Sequence, residues 1–268
     1  MRQSPPFRAD INGSFLRPPK IKDARRDFQE GRISKEALKQ IEDEEIAKLV
    51  AKEEELGLQV VTDGEYRRSW WHFDFLEGLT GVEGYETEQG IQFHGVQSRH
   101  RNVRVTGKID FPDNHPFLEH FAYLKRITKK AIPKMTIPSP SVLHFRGGSK
   151  LIDPKVYSNL DDFFTDLGHA YKKAIHAFYN IGCRYLQLDD PVWAYLCSEE
   201  QRRLCRERGD DPDQLVHYYA KTINFAVSEK PADMTISMHI CRGNFRSTWF
   251  SEGGYDYVAE TLFGVVKI

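Results

Sequence analysis

The chain has 268 residues, 40% hydrophobic and 29% charged, with a formal net charge of -1, and its lysines and arginines are interspersed with acids. That pattern gives no basic face and excludes a nucleic-acid partner. No stretch approaches the roughly 18 consecutive apolar residues of a membrane span, no apolar leader opens the sequence, and the length suits one α/β barrel, which runs to about 250 residues.

In chain order, DINGS (10–14) reads as a short strand. A helix is expected from near Ser34 to Gly57, with Leu38, Ile41, Leu49, Val50 and Leu56 in an approximate helical stripe and Gly57 as a left-handed cap. QVVTDGE (59–65) then reads as a buried strand running into a turn. Residues 66–102 mix aromatics, glycines and charges without a clear period, and read as a long excursion between the second and third strands. Trp70, Trp71, Phe73 and Phe75 weigh against disorder there. NVRVTG (102–107) and KMTIPSP (134–140) are further strand candidates. A helix over 161–182 places Phe163, Phe164, Leu167, Tyr171, Ala174, Ile175 and Phe178 on one face and stops at Gly182, before the strand YLQLDDP (185–191). Asp211-Pro212 opens a third helix through Leu215, Tyr219, Ile223 and Val227. It leads into MTISMHICRG (234–243), and VVKI (265–268) is the last strand candidate.

About seven strands thus alternate with helices, and no break in composition divides them. The expected fold is α/β, a single (β/α)8 TIM barrel over residues 1–268 rather than a doubly wound sheet. Ending at Ile268, it reads as incomplete at its C-terminus. Alternation along strands puts His239 and Cys241 on one face of TISMHIC, Tyr185, Gln187 and Asp189 on one face of YLQLDD, and Val61, Asp63 and Glu65 on one face of VVTDGE. Polar groups therefore converge on the C-terminal ends of the strands, where barrel active sites are built. His239 and Cys241 are suitable zinc ligands. Spacing alone favours the plainer alternative, a core cysteine beside a hydrogen-bonded histidine. Asp189 and Glu65 are readable as a general acid–base pair, a cation-binding pair or solvated loop acids, and Ser14 as an ordinary turn residue. The four cysteines, Cys183, Cys197, Cys205 and Cys241, show no paired spacing. They read as free thiols of a cytoplasmic protein, with Cys183 and Cys205 inert.

Four segments, GSFLRP (13–18), VVTDGE (60–65), LQLDDP (186–191) and HICRGN (239–244), resemble in order and spacing the cobalamin-independent methionine synthase family, in its short form that carries only the C-terminal catalytic barrel. The resemblance implies a TIM barrel with a zinc ion that binds the sulfur of homocysteine, and methyl transfer from a methylated folate (methyltetrahydrofolate) to give methionine. It makes His239 and Cys241 zinc ligands, Glu65 and Asp189 the acids that hold the substrate's ammonium group, and Ser14 a contact to the amino acid. Three departures stand out. The family's Asp-Glu-Pro acid pair is Asp189-Asp190-Pro191 here, the duplicated N-terminal barrel is absent, and the family's further zinc ligands, a glutamate and a cysteine, would lie beyond Ile268. Residues 1–268 alone are therefore expected to bind zinc weakly, to lack turnover and to self-associate through open barrel edges. The competing expectations are a methylthiol:corrinoid methyltransferase or porphyrinogen decarboxylase relative, and a non-catalytic fragment that needs its missing strands.

Overall fold

The computed structural model describes residues 4–268. Helices α1 (Pro19–Gln29) and α2 (Lys35–Glu55) pack on each other ahead of the first strand. Helix α2 begins where the Ser34 hydroxyl accepts the Ala37 N–H at 3.2 Å, and the chain leaves it through Gly57 at φ +78°. After β1 (Val60–Val61) come α3 (Phe73–Leu76), β2 (Thr80–Tyr85), β3 (Gln92–Phe93), β4 (Val96–Gln97), β5 (Asn102–Asp110) and α4 (Pro116–Ile127). β6 (Ile132–Pro133) and β7 (Met135–Pro138) form one run interrupted at Lys134. Helices α5 (Pro140–Phe145) and α6 (Leu160–Asn180) follow, then β8 (Tyr185–Asp189), α7 (Val192–Leu196), α8 (Glu199–Glu207), α9 (Pro212–Val227), β9 (Thr235–His239) and α10 (Asp256–Gly264).

β1 pairs with β6 in parallel (Val60 opposite Ile132), β7 with β8 (Met135 opposite Leu186) and β8 with β9 (Asp189 opposite His239). The Lys134 N–H donates to the Val61 carbonyl at 2.9 Å and carries the pairing across the break. Successive parallel strands are therefore neighbours, joined by helical crossovers, as the α/β reading requires. The apolar face expected of α6 is buried in full, and Phe163, Leu167, Tyr171, Ala174 and Phe178 are sealed from solvent. Of the excursion's aromatics, Phe73 and Phe75 are core residues, and Trp70 and Trp71 pack against the core half-buried.

Three strand expectations are corrected, so the parallel run holds four positions among the described residues rather than about seven. NVRVTG lies in β5, which pairs antiparallel with β2 (Val82 opposite Val105). Its Val103, Val105 and Ile109 face inward and Arg104 and Thr106 outward, the alternation of a sheet solvated on one face. DINGS is not in a ladder. Side chains hold its backbone instead: Thr62 Oγ1 donates to the Gly13 carbonyl at 2.8 Å and Gln187 Nε2 to the Asn12 carbonyl at 2.6 Å. Residues 265–268 form no strand: Asn224 donates to the Val265 carbonyl at 2.9 Å and accepts the Lys267 N–H at 2.8 Å, and the Thr261 carbonyl accepts the Val265 and Val266 N–H groups at 3.0 and 3.1 Å.

Among the described residues no helix is long and apolar enough to cross a membrane. The four cysteines are free. Burial pushes the Cys183 thiol up to about 12 and the Cys205 thiol upward, in keeping with inert core positions.

Candidate active site

The pleat of β8 sends Leu186 and Leu188 one way and Tyr185, Gln187 and Asp189 the other. Parallel register sets His239 opposite Asp189, with His239 Nδ1 3.1 Å from Asp189 Oδ1. Gln187 Nε2 donates to the same oxygen at 2.7 Å. Cys241 lies just past β9, where its sulfur accepts the Gly243 N–H at 3.3 Å. The hydrogen bond to Asp189, then that to Cys241, raises the His239 pKa to about 9, and the imidazole lowers that of the Cys241 thiol. The pair is thus biased toward imidazolium and thiolate.

Glu65 sits beyond β1 at φ +57°, a left-handed conformation that is uncommon for a residue with a side chain and clusters at functional sites. Its N–H donates to Asp63 Oδ1 at 2.8 Å, which closes the turn. The carboxyl points inward, accepts from Thr136 Oγ1 at 3.1 Å and lies 3.4 Å from the Arg68 guanidinium. Burial raises its pKa, Arg68 opposes the shift, and the Asp189 charge adds to it. The two carboxyls are therefore close enough for their charges to interact. Gly13 passes so close that a Cβ there would stand 2.8 Å from Thr136 Cγ2 and 3.1 Å from Glu65 Oε1. Ser14 is exposed. Its hydroxyl accepts from Arg17 at 2.9 Å, and the same guanidinium donates to the Glu65 carbonyl at 2.7 Å. Glu65, Asp189, His239 and Cys241 are thus brought together, and Ser14 joins them at one remove, through Arg17.

Among the described residues no group of three His, Cys, Asp or Glu side chains is arranged to hold a metal ion. The donor chemistry of the pair nevertheless fits zinc. Asp189 engages Nδ1, as carboxylates do behind ligating histidines, and the adjacent thiol already leans toward thiolate. His239 and Cys241 are two donors of the right type.

Two features were not legible in the sequence. Asp190, next to Asp189, is turned by the pleat to the opposite side and fully buried. It accepts from Ser141 Oγ at 2.7 Å, Trp193 Nε1 at 3.0 Å and the Val192 N–H at 3.2 Å, and burial pushes its carboxyl up to about 6. It braces the exit of β8 against α5 and α7 rather than facing the pocket. The second feature is a cavity of about 290 Å³ lined by Arg101, Arg146, Arg208, Phe145 and Phe250 among others, with no acid in its wall. Arg101 is paired with Glu77 and Arg208 with Asp210, whereas Arg146 lies over the Tyr195 and Phe250 rings at 5.5 and 5.6 Å. Those rings pack at 4.3 Å. The cavity's arginines are too scattered along the chain to form a motif.

Residues 9–251 match the family model described as cobalamin-independent synthase, catalytic domain. The uncharacterised protein YxjG of Bacillus subtilis is 53% identical over 98% of this chain, which spans 68% of that protein. A methionine synthase of Sulfolobus acidocaldarius is 24% identical over 88% of this chain and 61% of its own length. A crystal structure from Listeria monocytogenes, described as a candidate vitamin-B12 independent methionine synthase, is 47% identical with a TM-score of 0.80, covering 100% of this chain and 72% of that one.

Proposed function

The chain belongs to the cobalamin-independent methionine synthase family, and from that premise we propose that it serves methyl transfer to the thiol of homocysteine, giving methionine. The observation that carries this reading is the union of Asp189, His239 and Cys241 at the ends of adjacent parallel strands, with the buried Glu65 carboxyl facing them. The four parallel positions are taken as part of a (β/α)8 barrel, whose active site lies at that end of the strands.

In this reading His239 and Cys241 hold zinc. Bound there, zinc would lower the pKa of the substrate thiol, which near 8.5 is otherwise largely protonated at neutral pH. Glu65 and Asp189 receive the substrate's ammonium group, and Arg17 presents Ser14 toward its amino-acid end. The methyl donor is a methylated folate, whose amine nitrogen must be protonated to leave. Its carboxylates suit the cavity lined by three arginines and no acid.

Supply of homocysteine and methyltetrahydrofolate with zinc to a form of the protein that carries the family's full set of zinc ligands, followed by mass spectrometry for methionine, tests the activity. No methionine under those conditions would refute it. Glu65→Gln is expected to weaken homocysteine binding by roughly ten- to a hundredfold, the scale of one hydrogen bond to a charged group, about 1.5–3 kcal/mol. Calorimetric titration checks this, and equal affinity in parent and variant removes Glu65 from the role. Arg146→Ala is expected to raise the KM for the methyl donor about tenfold and leave homocysteine affinity unchanged. An unaltered KM for the donor places the donor elsewhere.

A further inference from the structure

Behind Asp189 runs a line of buried and part-buried hydrogen bonds that the reaction above does not use. Lys134, 2% exposed, sits in the break between β6 and β7. Its ammonium donates to Asp10 Oδ1 at 2.7 Å, to the Ile11 carbonyl and to Gln187 Oε1 at 3.0 Å. Gln187 Nε2 donates to the Asn12 carbonyl at 2.6 Å and to Asp189 Oδ1 at 2.7 Å, and that oxygen meets His239 Nδ1 at 3.1 Å.

The partners' chemistry fixes every direction along this line. An ammonium only donates, so Gln187 must turn its oxygen toward Lys134. A carbonyl and a carboxylate only accept, so the amide nitrogen must face Asn12 and Asp189. A flipped amide would set N–H against ammonium and oxygen against carboxylate. Asp189 Oδ1 therefore stays an acceptor toward His239, and the hydrogen sits on Nδ1. We propose that Lys134 and Gln187 are positioning residues that set, through Asp189, the ring orientation of His239 and keep a hydrogen on Nδ1, so that Nε2 is the nitrogen that gives up its proton to ligate a metal. The ligation clause rests on the zinc reading of the proposed function, whereas the orientation does not. The same two side chains tie down residues 10–12, directly before Gly13 and Ser14, so one device sets both borders of the pocket.

The deciding variant is Gln187→Glu, which keeps the side chain's shape and its bond from Lys134 but loses the N–H toward Asp189. Lys134→Met, Gln187→Leu and their double variant accompany it, with thermal melting to establish folding. In the metal-free protein, NMR with 15N-labelled histidine follows the His239 Nδ1–H signal, identified by its absence in His239→Ala. It is expected to be sharp and protected from exchange in the parent, and lost or exchange-broadened in folded Gln187→Glu and Lys134→Met. Cobalt(II) titration, followed by the thiolate charge-transfer band, gives a second measure. Affinity should fall about ten- to a hundredfold in each single variant, and the double variant should be no worse than the weaker single, because the residues act as one line. An unchanged Nδ1–H signal in folded Gln187→Glu overturns the positioning role, and additive cobalt losses overturn the single line. A parent that binds no cobalt, with the Nδ1–H signal still responding, upholds the positioning role and removes the zinc reading alone.

Discussion

In a form of the protein that carries the family's full set of zinc ligands, His239→Ala and Cys241→Ser are each expected to lower zinc affinity by orders of magnitude, and methyl transfer by on the order of a thousandfold, about 4 kcal/mol at 1.36 kcal/mol per decade. Both residues lie at the end of β9, part-exposed, and neither belongs to the buried core. Their removal therefore leaves the sheet and its helices in place, and melting temperatures should stay within a few degrees of the parent. The two substitutions differ in what they leave behind. Without the imidazole, the Cys241 thiol loses the partner that lowers its pKa. Without the sulfur, His239 keeps Asp189, the larger of the two causes of its raised pKa. Elemental analysis beside methionine formation checks the prediction, and zinc content equal to the parent's in both variants refutes the assignment of the ligands.

The largest stability effect is expected at a residue that does not face the pocket. Asp190→Ala should destabilise the fold by about 3–5 kcal/mol, because it strands the Ser141 hydroxyl, the Trp193 indole N–H and the Val192 N–H without an acceptor in a sealed interior. Urea denaturation measures this, and a loss under about 1 kcal/mol would show that the surrounding groups find other partners. The pH dependence has a definite sign. The folded pKa of Asp190, about 6, lies above the ordinary aspartate value, so the folded chain binds this proton more tightly than the unfolded chain. The group's contribution is full below the unfolded pKa and falls as pH rises through the folded one. Asp190→Ala should lack that slope.

Much of the site was legible because a strand's alternation is strict. Once YLQLDD and TISMHIC are read as parallel strands, Asp189 and His239 must lie on the interior face, and the register does place them side by side. The same logic turns Asp190 away, although its adjacency to Asp189 invites the opposite reading. NVRVTG was misplaced because a polar–apolar alternation marks a strand without naming its partner, and its true partner, β2, lies inside the excursion. Segment 10–14 failed as a strand for a different reason. Its carbonyls are claimed by Thr62, Lys134 and Gln187, contacts between residues distant in sequence that no local pattern encodes. The arginine-lined cavity is invisible for the same cause.

The parallel pairing of β8 with β9 also bears on how the protein comes to be made. Asp189 and His239 are separated by 50 residues along the chain, Glu65 and Thr136 by 71, and Tyr185 reaches Asp10 across 175. Each contact closes a long loop before it returns any stabilisation, and such closures are slow steps of folding. Helices α2 and α6 can form from local contacts within microseconds, but the pocket exists only after the last crossover has docked. During refolding, helical circular dichroism should therefore recover well before homocysteine binding. Until β9 takes its place, His239 lacks Asp189, and the nascent chain presents the Cys241 thiol to any oxidant nearby.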